Sequence, residues 1–366
     1  MAHDDKPKRR TAVFRKEDRH ELRYQLSVAI AASLSWFFFL VPAPIRNSFA
    51  ERCGSLFFRV SHTYRDNVIS NVMQVLGKTE EDAEVRATAR SIFLNSALNF
   101  MDLLTLTRRS GRYLMRSTHV VAGDWSTINN AMASGRGLIL VTAHVGCFDF
   151  IGQSFLAHGL KLTIVTGRTT SRFIFDGVTW LRSVRGGNFV EPTPSGVRAV
   201  IKALRRGECA VFVADRDFFQ NGRPATFFGR ETTLPPGVIR IARDTGAVIV
   251  PIFTRRMRRG HELRIYPAME IEKTSDVDAD IRAGINRLVP ILEEGIRSAL
   301  EQWVMFQRVW PETTPEAVKI FPTGSPLESE LLEKVASHLP ERKSGETRVR
   351  VGSFARASSE SEAGHD

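Results

Sequence analysis

The chain has 366 residues, 43% of them hydrophobic, and a formal net charge of +11. That length and composition supply a sizeable core for one large domain or two small ones, and a mean hydropathy of −0.15 excludes a polytopic membrane protein. The basic balance calls for an anionic partner such as membrane phospholipid or a phosphate-bearing substrate, while its arginines, spread along the whole chain, argue against a nucleic-acid-binding tail.

Residues 1–24 are polar and mostly basic, and an uncharged stretch follows from Gln25 to Ile45, centred on LSWFFFLVPAP. A bilayer-spanning helix needs roughly 20 predominantly apolar residues; here serines and prolines dilute the run. Three readings stay open: a span or hairpin-like insertion, an interfacial helix anchored by Trp36 and three phenylalanines, or a buried core helix. The long basic lead-in does not fit a signal peptide, and it places the preceding residues on the cytoplasmic side. Residues 47–117 carry apolar positions at helical spacing, as in Ile92, Leu94, Ala97, Leu98, Met101 and Leu104, which predicts helices.

The pattern changes near Gly123. Apolar runs at 135–144, 160–168, 207–217, 246–253 and 262–271 predict strands, and 149–158, 172–183, 194–205 and 236–245 predict helices between them. Such alternation predicts an α/β fold with a mixed, largely parallel central sheet flanked by helices. A last helix is expected over about 276–301. From Ser325 the composition turns to Ser, Glu, Lys, Arg and Gly, so 325–366 is expected to be a disordered tail. The expected organisation is a basic segment (1–24), a membrane-associated segment (25–45), a catalytic domain (46–312) and that tail.

The chemistry concentrates at strand ends, where ligands bind in open α/β sheets. His144 closes the first strand, and Asp149 follows in H-V-G-C-F-D. The spacing puts His144 in the loop and Asp149 in the first turn of the next helix, with Gly146 allowing a sharp turn and close substrate approach. A carboxylate there can accept from one imidazole nitrogen and leave the other to act as a general base. Cys147 invites a nucleophilic alternative, but no second histidine supports it, and a small packed residue is the plainer reading. Further along, Asp215, Arg216 and Asp217 follow a strand end, Phe227-Phe228-Gly229 precedes Arg230, and a helix starts near Pro236. Arginines and free helix amides suit phosphate. No phosphate-binding or dinucleotide glycine loop is present, and the three cysteines have no zinc-ligand spacing, so no metal or nucleotide cofactor is expected.

Taken together, GRGLILVTAHVGCFDF, ADRDFFQNGRPATFFG and LPPGVIRIARDTGAVIVPIF resemble the bacterial lysophospholipid acyltransferase superfamily. The likeness is to its lipid A biosynthesis branch, including phosphatidylinositol mannoside acyltransferases. It runs from about residue 25 to 312 and includes the closing EQWVMFQRVWPE. The resemblance implies an O-acyltransferase on the cytoplasmic face of a bacterial inner membrane. Its donor would be acyl-CoA or acyl carrier protein, its acceptor a hydroxyl of a membrane lipid or glycolipid, and neither metal nor cofactor would be needed. Residue by residue, it makes His144 the base and Asp149 its partner. It assigns substrate contacts to Gly146, Arg168, Arg182, Asp215, Arg216, Phe227, Phe228 and Gly229. Cys147 and Phe148 depart from the branch's Asn-Trp pair, which alters donor or acceptor geometry. An acyl-thioester hydrolase and a non-catalytic lipid-binding relative are the alternatives.

Overall fold

The computed structural model describes residues 16–167, 171–217 and 221–310. The expected tail at 325–366 and the sequence-predicted contact Arg168 lie outside them. In chain order, four long helices come first: α1 (Lys16–Leu40), α2 (Ala43–Val60), α3 (His62–Leu76) and α4 (Ala83–Leu106). A short helix α5 (Gly111–Arg116), strand β1 (Thr118–Ala122) and helix α6 (Trp125–Ala133) lead to β2 (Leu138–Thr142). Then α7 (Phe148–Ala157), β3 (Leu162–Val165), α8 (Arg172–Ser183), β4 (Asn188–Val190), α9 (Pro194–Arg205) and β5 (Cys209–Val213) alternate. The hairpin β6 (Arg223–Phe227) and β7 (Arg230–Leu234) precedes α10 (Gly237–Thr245), β8 (Val248–Arg256), β9 (His261–Ile265) and α11 (Val277–Arg297).

Seven strands form the central sheet in the order β1-β9-β8-β2-β5-β3-β4. All pairings are parallel except β8 with β9. The mixed, largely parallel sheet expected from the sequence is therefore present. β2, in the middle, is buried along its whole length, as a strand covered on both faces must be. Its alternate side chains feed two cores: Ile139 and Val141 pack towards α9, α10 and α11, Leu138 and Leu140 towards α5, α6 and α7.

The uncharged stretch 25–45 spans the end of one helix and the start of the next. Pro42, whose backbone is extended (φ −53°, ψ 139°), ends α1 at Leu40, and α2 opens one residue later, because proline suits a helix start and not its interior. No helix among the described residues is long and apolar enough to cross a membrane. The block 214–237 also holds strand structure of its own, the β6–β7 hairpin.

α1 is built inside out. Its buried stripe is Ser27, Ala31 and Ser35. Ser27 Oγ donates to the Phe173 carbonyl at 2.5 Å, and Ser35 shares a 2.6 Å hydroxyl contact with Thr107. Gly177 of α8 sits so close that a Cβ there would lie 2.9 Å from Ser27 Oγ. A stripe beside it, Leu22, Leu26, Ile30, Leu34 and Phe37, is exposed.

Candidate active site

β2 and β5 are parallel neighbours with Thr142 opposite Val213. Two residues beyond each, in step, stand His144 and Asp215. Asp215 is fully buried and accepts three hydrogen bonds: from the His144 backbone N–H at 2.9 Å, from His144 Nδ1 at 2.8 Å and from Trp303 Nε1 at 2.8 Å. Burial pushes this carboxyl up, but the facing imidazole and these donors outweigh it and hold it below the ordinary aspartate range. An ionised carboxylate is acceptor-only, so Nδ1 carries the proton and Nε2 presents its lone pair.

The expectation that Asp149 orients His144 is therefore corrected. The first turn of α7 carries Asp149 towards α8, where Arg182 binds both of its oxygens, Nε to Oδ1 at 2.7 Å and Nη2 to Oδ2 at 3.0 Å. Spacing along the chain pointed to Asp149, and strand register selects Asp215 instead. Asp215, expected to contact substrate, turns its carboxylate to the ring.

The loop between them is held from below. Gly146 adopts φ +66°, and a Cβ there would come within 2.1 Å of the Thr254 carbonyl, so only glycine fits. Its N–H donates to the Gln302 carbonyl at 3.1 Å, and its own carbonyl accepts from Asn99 Nδ2 at 2.7 Å. Arg256 donates to Asn99 Oδ1 at 3.0 Å and pairs with Asp102 at 2.5 Å. His261 lies against the same Asp102, Nε2 to Oδ2 3.7 Å, and its ring stacks on Phe150. Burial, aided by Arg256 and His119 against the pull of Asp102, lowers His261 to about 4, so it is neutral near pH 7. Cys147 is buried beside Asp102, and burial drives its thiol upward, which removes it as a nucleophile.

From above, the closing segment clamps the pair. The Val304 N–H donates to the His144 carbonyl at 2.7 Å, and Asn71 holds the Met305 and Gln307 carbonyls and the Val309 N–H. Trp303, Asn99, Asn71 and Arg256 were not singled out from the sequence. Only Trp303 carried a signal, as part of the closing Trp/Arg segment.

His144 opens onto a cavity of about 480 Å³, within the range of small-ligand sites. Its polar wall is Asp149, Arg182, Arg216, Asn221 and Gln307. Its deep wall is apolar, formed by Ile164, Phe189, Val197, Val200 and Val211. Pro236 and Gly237, at the start of α10, also border it. Burial lowers the Arg216 guanidinium, and Asp215 opposes that shift. Phe148 stands edge-on to the His144 ring at 6.0 Å.

The Phe227-Phe228-Gly229 segment is not part of this wall. It forms the turn of the β6–β7 hairpin, with positive φ at Phe228 and Gly229, as tight hairpin turns demand. The Phe228 backbone is bound by Glu293 and Gln74, while Phe227 stacks on Trp310. Its place is in the packing behind Trp303. Among the described residues no cluster of side chains has the make-up of a metal site.

Residues 13–312 match the family model described as bacterial lipid A biosynthesis acyltransferase, and the chain belongs to that family. Among its relatives is a phosphatidylinositol mannoside acyltransferase of Mycobacterium tuberculosis, 25% identical over 57% of this chain and 66% of the relative. The corresponding protein of Mycolicibacterium smegmatis is 27% identical over 50% and 59%. A lipid A biosynthesis acyltransferase of Haemophilus influenzae is 25% identical over 54% and 60%. The chain thus matches somewhat less than two thirds of the length of these relatives.

Proposed function

We propose that this protein is an O-acyltransferase that moves a fatty acyl group from acyl-CoA or acyl carrier protein to a hydroxyl of a membrane lipid or glycolipid. The observation that carries the reading is the His144–Asp215 pair at the mouth of an apolar cavity, in a chain of the lipid A acyltransferase family. Asp215 fixes Nδ1–H, so Nε2 takes the proton of the acceptor hydroxyl as its oxygen attacks the thioester carbon. The tetrahedral adduct collapses, the carbon–sulfur bond breaks, and the imidazolium returns its proton to the departing thiolate. The new ester and a free thiol are the products. The apolar deep wall suits the acyl chain, while Arg216 and the start of α10 suit phosphate groups of the donor. Asp149 and Arg182, neutralising one another, shape the polar wall.

The exposed apolar stripe of α1, together with Ile45, Phe49, Leu56 and Val60 of α2, supports attachment to a membrane surface through helices lying in its interface. The cytoplasmic face of an inner membrane, where acyl thioesters are made, is the location that fits. The test is mass spectrometry of membrane lipids from cells carrying wild-type protein or His144→Ala. A lipid that gains one acyl chain only with wild type identifies both activity and acceptor. Identical lipids, with both proteins folded, would sink the proposal.

A further inference from the structure

A second apolar cleft, of about 320 Å³, lies between α2 and α4. Phe49, Ala50, Cys53 and Phe57 form one side, Ala97 and Leu104 belong to the other, and Phe38 reaches in from α1. The two helices close on each other below it, where a Cβ on Gly54 would meet the Phe93 carbonyl at 2.7 Å. This cleft is not isolated. Ser96 and Phe100 of α4 line both it and the cavity of His144. Phe100 is 58% exposed, so it forms a low apolar divide between the two spaces. At the other end, the guanidiniums of Arg108 and Arg109 lie over the rings of Trp36 and Phe39 at 4.2 and 5.2 Å. Cationic groups laid on aromatic rings are suited to the level of anionic lipid head groups.

The acyl-transfer reading leaves a need that this cleft meets. If the deep wall beside His144 takes the donor's acyl chain, the acceptor's own hydrocarbon requires another apolar surface within reach of the same imidazole. We infer that the α2–α4 cleft holds a hydrocarbon chain of the acceptor lipid, drawn from the membrane face, while its hydroxyl passes Phe100 to His144. This rests on the acyl-transfer proposal above.

The three cysteines make the test direct, since Cys53 in the cleft is exposed and Cys147 and Cys209 are buried. Full-length protein, with and without saturating palmitoyl-CoA, is treated with N-ethylmaleimide in the presence and absence of n-decyl glucoside below its micellar concentration. The expected result is slower alkylation of Cys53 with decyl glucoside and no change with glucose. Binding of decyl glucoside, by calorimetry, should weaken by about tenfold in Ala97→Phe, as when roughly two methylenes are kept from burial. Phe49→Ala, at an exposed position, should weaken it as well and serves if Ala97→Phe misfolds. In the lipid mass-spectrometry assay, Ala97→Phe should lower the acylated product. Three outcomes would each overturn the inference: no protection of Cys53, protection that palmitoyl-CoA abolishes, or wild-type product from a folded Ala97→Phe. Absence of product from wild type itself would instead strike the acyl-transfer proposal.

Discussion

β2 buries every side chain along its length and leaves the chemistry to the residues just past its end. α1 does the reverse: it buries Ser27, Ala31 and Ser35 and exposes Leu22, Leu26, Ile30, Leu34 and Phe37. Water rewards the first arrangement. The second follows the packing seen between helices in lipid, where small and hydroxyl residues meet and large apolar ones face outward. The same chain thus carries a core organised against water and a helix whose large apolar residues face outward.

The comparison is sharpest where one atom matters. Asp215→Asn should lower kcat by roughly 10²-fold or more, since loss of a well-oriented general base costs about 10²–10⁴-fold. Asp149→Asn, which disturbs a wall of the cavity, should affect KM more than kcat. Steady-state kinetics of the two variants decides it, and equal kcat losses would put both carboxylates in one relay.

The polar floor of the site gives a pH test. His261 titrates near 4 in the fold against an ordinary 6.5. As pH falls below 6.5 the unfolded chain takes a proton that the folded one refuses. Stability present above that value is therefore lost progressively towards pH 4, on the order of 3 kcal/mol in all. Denaturant midpoints at pH 7 and pH 4.5 should show the loss. His261→Phe, which keeps the stack on Phe150, should show less of it.

The smallest effects belong to α1. Ser27→Leu should destabilise by about 1–3 kcal/mol, because overpacking against Gly177 forces the helices apart. Exchanging Leu26, Ile30 and Leu34 for glutamine should change stability by no more than about 0.5 kcal/mol each, yet release the protein from sedimenting lipid vesicles. If those exchanges instead unfold the protein, the stripe is covered by protein and the contrast with β2 disappears.

Most of the sheet was legible because β2, β3, β5 and β8 are dominated by apolar runs, and the helices between them because their periodicity is clean. β1 and β4 were not. β1 alternates between half-buried and exposed residues, and β4 has only 3, so neither shows an apolar run. The hairpin escaped because its Phe-Phe-Gly turn was read as a contact for substrate rather than for its backbone. His144, the α7 start and the Gly146 turn were readable from local spacing. The partnership with Asp215 was not, because it depends on which strands are neighbours and in what register.

The clamp over His144 also has an order in time. Asp215 and Trp303 are 88 residues apart, and ribosomes add roughly 5–20 residues per second. For several seconds a growing chain holds both members of the pair without the indole that fixes the carboxylate or the backbone that ties down His144. The geometry around His144 is thus completed only after every strand of the sheet and the long helices ahead of it have been made.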